Sequence, residues 1–454
     1  MRKKIVEQLT FSDYHFQEVM KSISPDEELK KIDAILKDNP ELVDIVHSDL
    51  TRGRQETGRN GISSEQALRC AILIKHSQLS YRDFTKRLND CISYRWFTHF
   101  CAEKIPHFTK LQKTIKHISS ATWLRINDIL VQYAMKKKIE NGKSLRTDTS
   151  AVESNITYPI DARLLWDSVR VLTRLMVLSL ELFSGVDFGF HNRTGKSKKL
   201  CFSITMLKGK NAEKKRRKLY RRLIGTTNEV FEMALRCLDL LDKSSAIEAM
   251  PLSEDMDHFL TLCAVAMDQC ERRVLKGEKV PAEDKIVSIF EDHTDIIVRG
   301  KSRKPVEFGH KIMIATGKSG IITQVQTLEG NPDDGSTFPD VLEKHREQYG
   351  TMPENVTADR KYFSADNENA AYTAGVKNVS IKKPGYVSEE RKTKEKSRPF
   401  KKLQRFRSGV EGIISALMRR YGLKRCVWKG WEAFQSYVSL SVVTFNLRKL
   451  ASLL

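Results

Sequence analysis

The chain has 454 residues, about three domains' worth of mass with ample length for a sizeable core, which excludes a peptide-scale or disulfide-stapled protein. Lys and Arg number 78 against 57 Asp and Glu, a formal net charge of +21, which suits a protein that meets a polyanion, with nucleic acid the first candidate. Eight scattered cysteines without zinc-type spacing, no apolar leader core and no run of about 18 apolar residues argue against a metal-finger, secreted or membrane-spanning protein and predict a cytoplasmic one.

From Ser24 to Leu36 the spacing predicts a helix, with Ser24 as cap, Pro25 in the first turn, and Leu29, Ile32, Ile35 and Leu36 on one face. A polar loop follows from Thr51 to Asn60. Ser63 with Gln66, and Ser80 with Asp83, form capping boxes ahead of two short helices, and further helices are predicted over Phe108 to Ile118 and Ala121 to Lys138. Residues 1–138 therefore read as an all-helical domain. Its tight helix pair has the form of a DNA-binding helix-turn-helix with Arg82, Lys86 and Arg87 toward phosphates; paired amphipathic helices also serve as plain packing units.

Lys143 to Val152 alternates, with Leu145, Thr147 and Thr149 on one face and Arg146 and Asp148 on the other, and predicts a strand carrying a carboxylate. Residues 162 to about 281 turn helical. Leu165, Val169, Leu172, Met176, Leu180 and Phe183 step by three and four, Thr226 with Glu229 opens a helix through Leu241, and Phe259 to Val274 supplies another. Between the first two lies a basic block from Lys208 to Arg222, including Lys214, Lys215, Arg216 and Arg217, opposed only by Glu213 and suited to a phosphate backbone.

Strands are predicted at Ile286 to Phe290 and Ile296 to Val298, and Phe308 to Ala315 with Ile321 to Leu328 read as a hairpin about a Gly317–Gly320 turn. A helix from Thr337 to Tyr349 leads to a strand at Val356 to Ala358, which runs straight into Asp359. Ser364 caps a helix to Ala374, and a short strand holds Val379 and Ile381. Lys382 to Arg407, with Lys383 near its start, is predicted to be a basic loop or flexible arm. Val410, Ile413, Ile414 and Leu417 then make a helical stripe with Glu411 off the apolar face. A last amphipathic helix covers Trp431 to Leu453, with Trp428, Trp431 and Phe434 read as core rather than base-stacking residues.

Singly, Asp148 reads as a solvated strand residue and Asp359 as a helix cap. Three carboxylates nevertheless stand out together: Asp148 on the first strand, Asp359 at the end of a later parallel strand, and Glu411 on the helix after the last strand. In a ribonuclease H-like sheet the first and fourth strands are neighbours and the following helix packs beside them, so the three would converge. Phosphoryl transfer needs hard oxygen ligands able to hold two magnesium ions about 3.5 to 4 Å apart, and three acidic side chains meet that need.

Leu145-Arg-Thr-Asp-Thr-Ser-Ala-Val-Glu-Ser-Asn155, Val356-Thr-Ala-Asp-Arg-Lys-Tyr-Phe-Ser364 and Phe406-Arg-Ser-Gly-Val-Glu-Gly-Ile-Ile414 resemble, in order, the first-aspartate, second-aspartate and glutamate segments of the DDE transposases of bacterial insertion sequences. The resemblance covers nearly the whole chain. It implies an α/β fold, α+β overall: a ribonuclease H-like mixed sheet with a large helical insertion, preceded by an all-helical N-terminal DNA-binding domain. It also implies Asp148, Asp359 and Glu411 as catalytic residues and ligands of two Mg2+ or Mn2+ ions, with no small-molecule cofactor. By the same resemblance the expected substrates are double-stranded terminal inverted repeats and target DNA, with the 3′ hydroxyl of a cut end joined to the target by a homodimer on DNA. DNA contacts extend to Arg360, Lys361, Lys383 and Arg407. Lys361 stands where such transposases often have glycine. Arg407 matches an arginine four residues before the glutamate, Gln404 replaces a tyrosine, and Met418 replaces a lysine whose charge Arg419 or Arg420 could supply.

The expected domains are 1–138, helical and DNA-binding; 139–161 with 282–425, catalytic; 162–281, a helical insertion; and 426–454, a C-terminal helix. The competing classes are a DNA-binding protein of transposase descent that no longer catalyses, and a metal-dependent nuclease without strand transfer.

Overall fold

In the computed structural model the described residues are 2–5, 11–22, 26–53, 61–182, 188–209, 212–298 and 305–454. The chain divides into two compact units, one of Met1–Ser154 with Gly309–Leu454 and one of Asn155–Phe308.

Among the described residues the first unit begins with eight helices: α1 Phe11–Ser22, α2 Glu27–Asp38, α3 Glu41–Thr51, α4 Ser64–Ser77, α5 Tyr81–Asp90, α6 Ile92–Thr98, α7 Phe108–Lys116 and α8 Ser120–Lys136. Ser63 and Gln66 satisfy each other's backbone N–H groups as a full capping box, and the Ser80 hydroxyl accepts from the Asp83 N–H. Ser24 and Pro25 lie outside the described residues. The cap of α2 is Asp26, whose carboxylate accepts from Leu29 N at 3.0 Å and leaves Leu29, Ile32, Ile35 and Leu36 buried as the stripe requires. Arg69 of α4 is buried because Asp33 of α2 (2.7 Å) and Glu65 (3.0 Å) neutralise it while it donates to the Phe97 carbonyl of α6 (3.2 Å). Helix α6 went unexpected: seven residues are too few for periodicity to register.

Strand β1, Ser144–Glu153, follows, and the second unit then supplies α9 Asp161–Leu182, α10 Thr194–Met206, α11 Ala212–Asp242, α12 Ala249–Cys270 with a π turn Glu271–Lys276, and a short strand β2 Asp295–Val298. Leu165, Val169, Leu172 and Met176 are buried in this unit's own core against α11 and α12 residues such as Val230 and Cys263. Phe183 lies outside the described residues. Helix α11 is continuous over 31 residues, so Thr226 does not open a helix. It sits mid-helix with its hydroxyl donating to the Arg222 carbonyl at 2.9 Å. The basic block from Lys214 to Arg222 is therefore helical, its charges tolerated because most point to solvent. The strand expected at Ile286 to Phe290 does not form. Side chains take its backbone donors instead: Gln269 Oε1 accepts from Ile286 N (3.0 Å), and Ser288 Oγ from Phe290 N (3.1 Å) and Glu291 N (3.2 Å).

The remaining elements are β3 Val306–Thr316, β4 Ile322–Leu328, α13 Phe338–Tyr349, β5 Asn355–Ala358, α14 Ala365–Thr373, β6 Asn378–Ser380, α15 Glu389–Lys396, α16 Arg398–Arg420 and α17 Trp431–Leu453. In the first unit the strands run β4-β3-β1-β5-β6, with β3 antiparallel to β1, β4 antiparallel to β3, and β5 and β6 parallel to β1. Period-two alternation splits the burial of β3. Ile312 and Ile314 join the core shared with the N-terminal helices and α17, whereas Met313 and Ala315 join Phe338 and Val341 of α13 and Ala371 of α14 on the other face. Helix α17 is locked to α8 and β4 by Asn446, which donates to Asn127 Oδ1 (2.7 Å) and the Ile322 carbonyl (2.8 Å) and accepts from Ile322 N (2.9 Å). Phe434 and Trp428 are buried, as a core role requires.

The segment Lys382 to Arg407 is not a flexible arm. Arg391 of α15 grips Glu368 of α14 through both carboxylate oxygens (2.6 and 2.8 Å), and Lys394 adds a third contact (2.6 Å). Ser397 and Pro399 then start α16, whose inward face packs on β1, β5 and β6. Dense charge masked this face, which carries Phe400, Gln404, Arg407 and Glu411 at helical spacing. Among the described residues no helix is long and apolar enough to cross a membrane.

Candidate active site

The parallel pairing of β1 and β5 matches Ser144 with Asn355 and ends at Thr147 with Ala358. The next residue on each chain is an aspartate, so Asp148 and Asp359 come level where the ladder stops. Asp359 takes the N-cap position of a single 3-10 turn, Arg360–Tyr362, yet its side chain makes no cap hydrogen bond. Its carboxylate is therefore not consumed in capping.

Helix α16 brings the third acid. Arg407 and Glu411 lie one turn apart on it, and the Arg407 guanidinium reaches all three carboxylates. Nη1 is 3.6 Å from Asp148 Oδ2 and 3.5 Å from Asp359 Oδ1, and Nη2 is 2.5 Å from Glu411 Oε1. Glu411 is the most open, with 59% side-chain exposure against 17% for Asp148. Burial is the main cause that pushes the Asp148 carboxyl up to about 6. The Thr149 N–H, donating to Asp148 Oδ1 at 2.8 Å, opposes the rise, Asp359 adds to it, Arg407 opposes it and Glu411 adds to it.

Three residues hold α16 in this register. Arg146, on the same face of β1 as Asp148, is buried, donating to Thr316 Oγ1 (2.7 Å) and the Phe406 carbonyl (2.6 Å) with its guanidinium over the Phe406 ring. Gly409 makes room for it, since a Cβ there would come within 2.0 Å of Arg146 Nη1. Gln404 donates to the Ser380 carbonyl (2.8 Å) and hydroxyl (3.1 Å) and ties α16 to β6. The alternation of β1 put Arg146 beside Asp148 in the sequence, but nothing there identified its partner 260 residues away.

A hard divalent cation suits this donor set: carboxylate oxygens only, disposed around a guanidinium cation. As placed, the acids surround Arg407 rather than closing on one point, and among the described residues no three His, Cys, Asp or Glu side chains form a metal-binding group. Arg360 and Lys361 stand exposed immediately after Asp359, Lys361 Nζ lying 4.0 Å from Asp334, which Lys311 also contacts at 3.0 Å. Asp334 is a buried acid that no sequence signal distinguished from an ordinary turn residue. Lys383 is exposed past β6. Arg82, Lys86 and Arg87 are exposed on α5, with Arg82 over the Phe108 ring of α7 and Arg87 over that of Tyr94. Lys214, Lys215 and Arg217 are exposed on α11, while Arg216 turns back to donate to the Leu207 carbonyl at 3.1 Å.

Family comparison finds two matches: residues 17–117 match a transposase domain (DUF772) and residues 372–451 a transposase DDE domain. Together the two matches support a DDE-type transposase of an insertion sequence. The second match contains Arg407 and Glu411; Asp148 and Asp359 fall outside both. No curated protein and no solved structure matches the chain.

Proposed function

We propose that the chain is a DNA transposase that nicks at the ends of its insertion sequence and joins the freed 3′ hydroxyl to target DNA, with Asp148, Asp359 and Glu411 as the catalytic, metal-holding acids. The observation that carries this reading is the meeting of three carboxylates, from β1, the end of β5 and α16, on one guanidinium. The strand order β4-β3-β1-β5-β6, with its two antiparallel and two parallel pairings, supports a ribonuclease H-like core.

Two Mg2+ or Mn2+ ions held by these acids would activate the attacking oxygen and stabilise the leaving oxygen. The chain's own residues do the positioning. Arg146 and Gln404 hold α16 so that Arg407 and Glu411 lie beside the aspartates, and Arg407 offers a bidentate donor pair to a phosphate once the carboxylates release it. Arg360 and Lys361, beside Asp359, grip the backbone flanking the reacting phosphodiester, with Lys383 further along. The helices of residues 1–138 bind the element ends through Arg82, Lys86 and Arg87 of α5, and the helical insertion presents Lys214, Lys215 and Arg217 to DNA backbone. Cutting and joining two ends in concert calls for two subunits on DNA in the cytoplasm.

The test is a plasmid carrying the gene with its native flanks, incubated with purified protein and Mg2+. The reading expects flanking inverted repeats, strand breaks at their outer boundaries and joined products with a second plasmid. Breaks without joining would favour a nuclease, and binding without breaks a DNA-binding descendant.

A further inference from the structure

Beside α16 lies a cleft of about 1060 Å³, apart from the carboxylates. Its cations are Lys318, Lys396, Arg398, Lys401, Lys402 and Arg405, and no acidic residue lines it. All six are exposed, and among the described residues none of them is engaged in an ion pair. This is unlike Arg391 and Lys394 nearby, which Glu368 consumes. Six uncompensated positive charges around a concavity repel one another, an arrangement that a polyanion relieves. The wall opposite α16 is polar: Ser144, Asn355 and Asn378 start β1, β5 and β6 in register, linked through Asn378 Nδ2 to Asn355 Oδ1 (2.9 Å) and Asn355 Nδ2 to Ser144 Oγ (3.3 Å). Amide N–H groups and a hydroxyl can donate to phosphate oxygens without demanding a base.

The cleft's position separates it from the acidic site. It opens where β5 begins, whereas Asp359 stands where β5 ends, about 13 Å along the strand at roughly 3.3 Å per residue. On α16, Arg398, Lys401, Lys402 and Arg405 recur at three- and four-residue spacing on one face, and Arg407 and Glu411 lie about half a turn round the helix at roughly 100° per residue. The acids and the cleft therefore lie on different faces of α16 and at opposite ends of β5.

We propose that this cleft binds the phosphate backbone of a second DNA segment, distinct from the one whose phosphodiester lies at Asp148, Asp359 and Glu411. The inference rests on the transposase reading, because joining one DNA to another requires a chain to hold more than the strand being cut. Recognition is of charge and backbone shape, not of sequence.

The test compares wild type with K401Q/K402Q/R405Q, all substitutions at exposed positions, and with the charge-retaining K401R/K402R/R405K. The slope of log affinity against log salt for plasmid DNA should fall by about 3 in the neutral variant, at roughly 0.9 for each phosphate no longer neutralised, and stay at the wild-type value in the charge-retaining one. Joining to a second duplex should drop at least tenfold, while cleavage of a short single-end duplex changes by no more than about threefold. An unchanged slope overturns the proposal. So does an equal loss of single-end cleavage, which would place one DNA in both sites, or a slope lost in both variants, which would mark a folding defect rather than a charge effect. D148N run alongside keeps the two readings apart: if it cleaves normally the transposase reading fails, whatever the slopes show.

Discussion

Arg407 and Glu411 stand one turn apart on α16, Nη2 to Oε1 at 2.5 Å, and the same guanidinium spans the gap to Asp148 and Asp359 on two adjoining strands. One cation therefore offsets three carboxylates that would otherwise repel across a partly buried site. Arg407→Gln should lower stability by about 1 to 2 kcal/mol, a figure reduced by the exposure of Glu411. The same variant should gain more melting temperature from added Mg2+ than wild type does, because the acids then lack their internal counter-charge. Thermal melts with and without Mg2+ check this, and an equal metal-induced shift in both proteins would contradict it.

Asp148 gives a pH dependence of defined sign. Its carboxyl is pushed up to about 6 by burial, above the ordinary 3.8, so folding favours the protonated form. Above pH 6 the ionised group is a net cost to the folded state, and that cost fades as pH falls through 6 toward 4. Two units set a ceiling of roughly 3 kcal/mol. Asp148→Asn should accordingly unfold later than wild type at pH 7.5, by about 1 to 3 kcal/mol, with the gap narrowing toward pH 4.5. Denaturant curves across that range decide the matter; a gap independent of pH would show that burial does not set the carboxyl's affinity for protons.

Gly309 begins the close pairing of β3 with β1, opposite Glu153. A Cβ there would stand 1.9 Å from the Val152 carbonyl oxygen and 2.7 Å from Glu153 Cα, both backbone atoms of the strand that carries Asp148. Gly309→Ala should cost at least about 3 kcal/mol, since no side chain can move aside. Gly330→Ala meets open space and bears only left-handed strain, about 1 kcal/mol. Equal losses in the two variants on chemical denaturation would refute the close-approach account.

Glu368 anchors α15 through Arg391 and Lys394. Glu368→Gln should remove about 2 kcal/mol of local stability and expose residues 389–396 to trypsin well before the rest of the unit. Limited proteolysis reads this directly: cleavage there at the wild-type rate would mean that α15 is held by other contacts.

Much of this architecture was legible because local chemistry and fold agree. The Ser63–Gln66 box, the alternation of β1, the Gly317–Gly320 turn and the passage from Val356 into Asp359 each carry their own signal. Charge hid the rest. The Lys382–Arg407 segment looked like a solvated arm because its stabilising partner, Glu368, is on another helix, and the start of α11 showed only its charge because its basic turns bury little. Ile286 to Phe290 has strand composition, but Gln269 and Ser288 take its backbone donors first. At the site, sequence order supplied the three acids. It did not supply Arg407 as their common partner or Arg146 as the support of α16, since both depend on contacts between residues far apart in the chain.

The most direct measurement is DNA cleavage and binding by Asp148→Asn, Asp359→Asn and Glu411→Gln in parallel, on duplexes carrying the ends of the element, with Mg2+ present. Each substitution should lower the cleavage rate at least a hundredfold while affinity for the duplex stays within about threefold, because each removes a carboxylate from a shared site and leaves the basic surfaces intact. Cleavage at the wild-type rate by any one of the three would contradict the assignment of that acid, and by all three the account of the site.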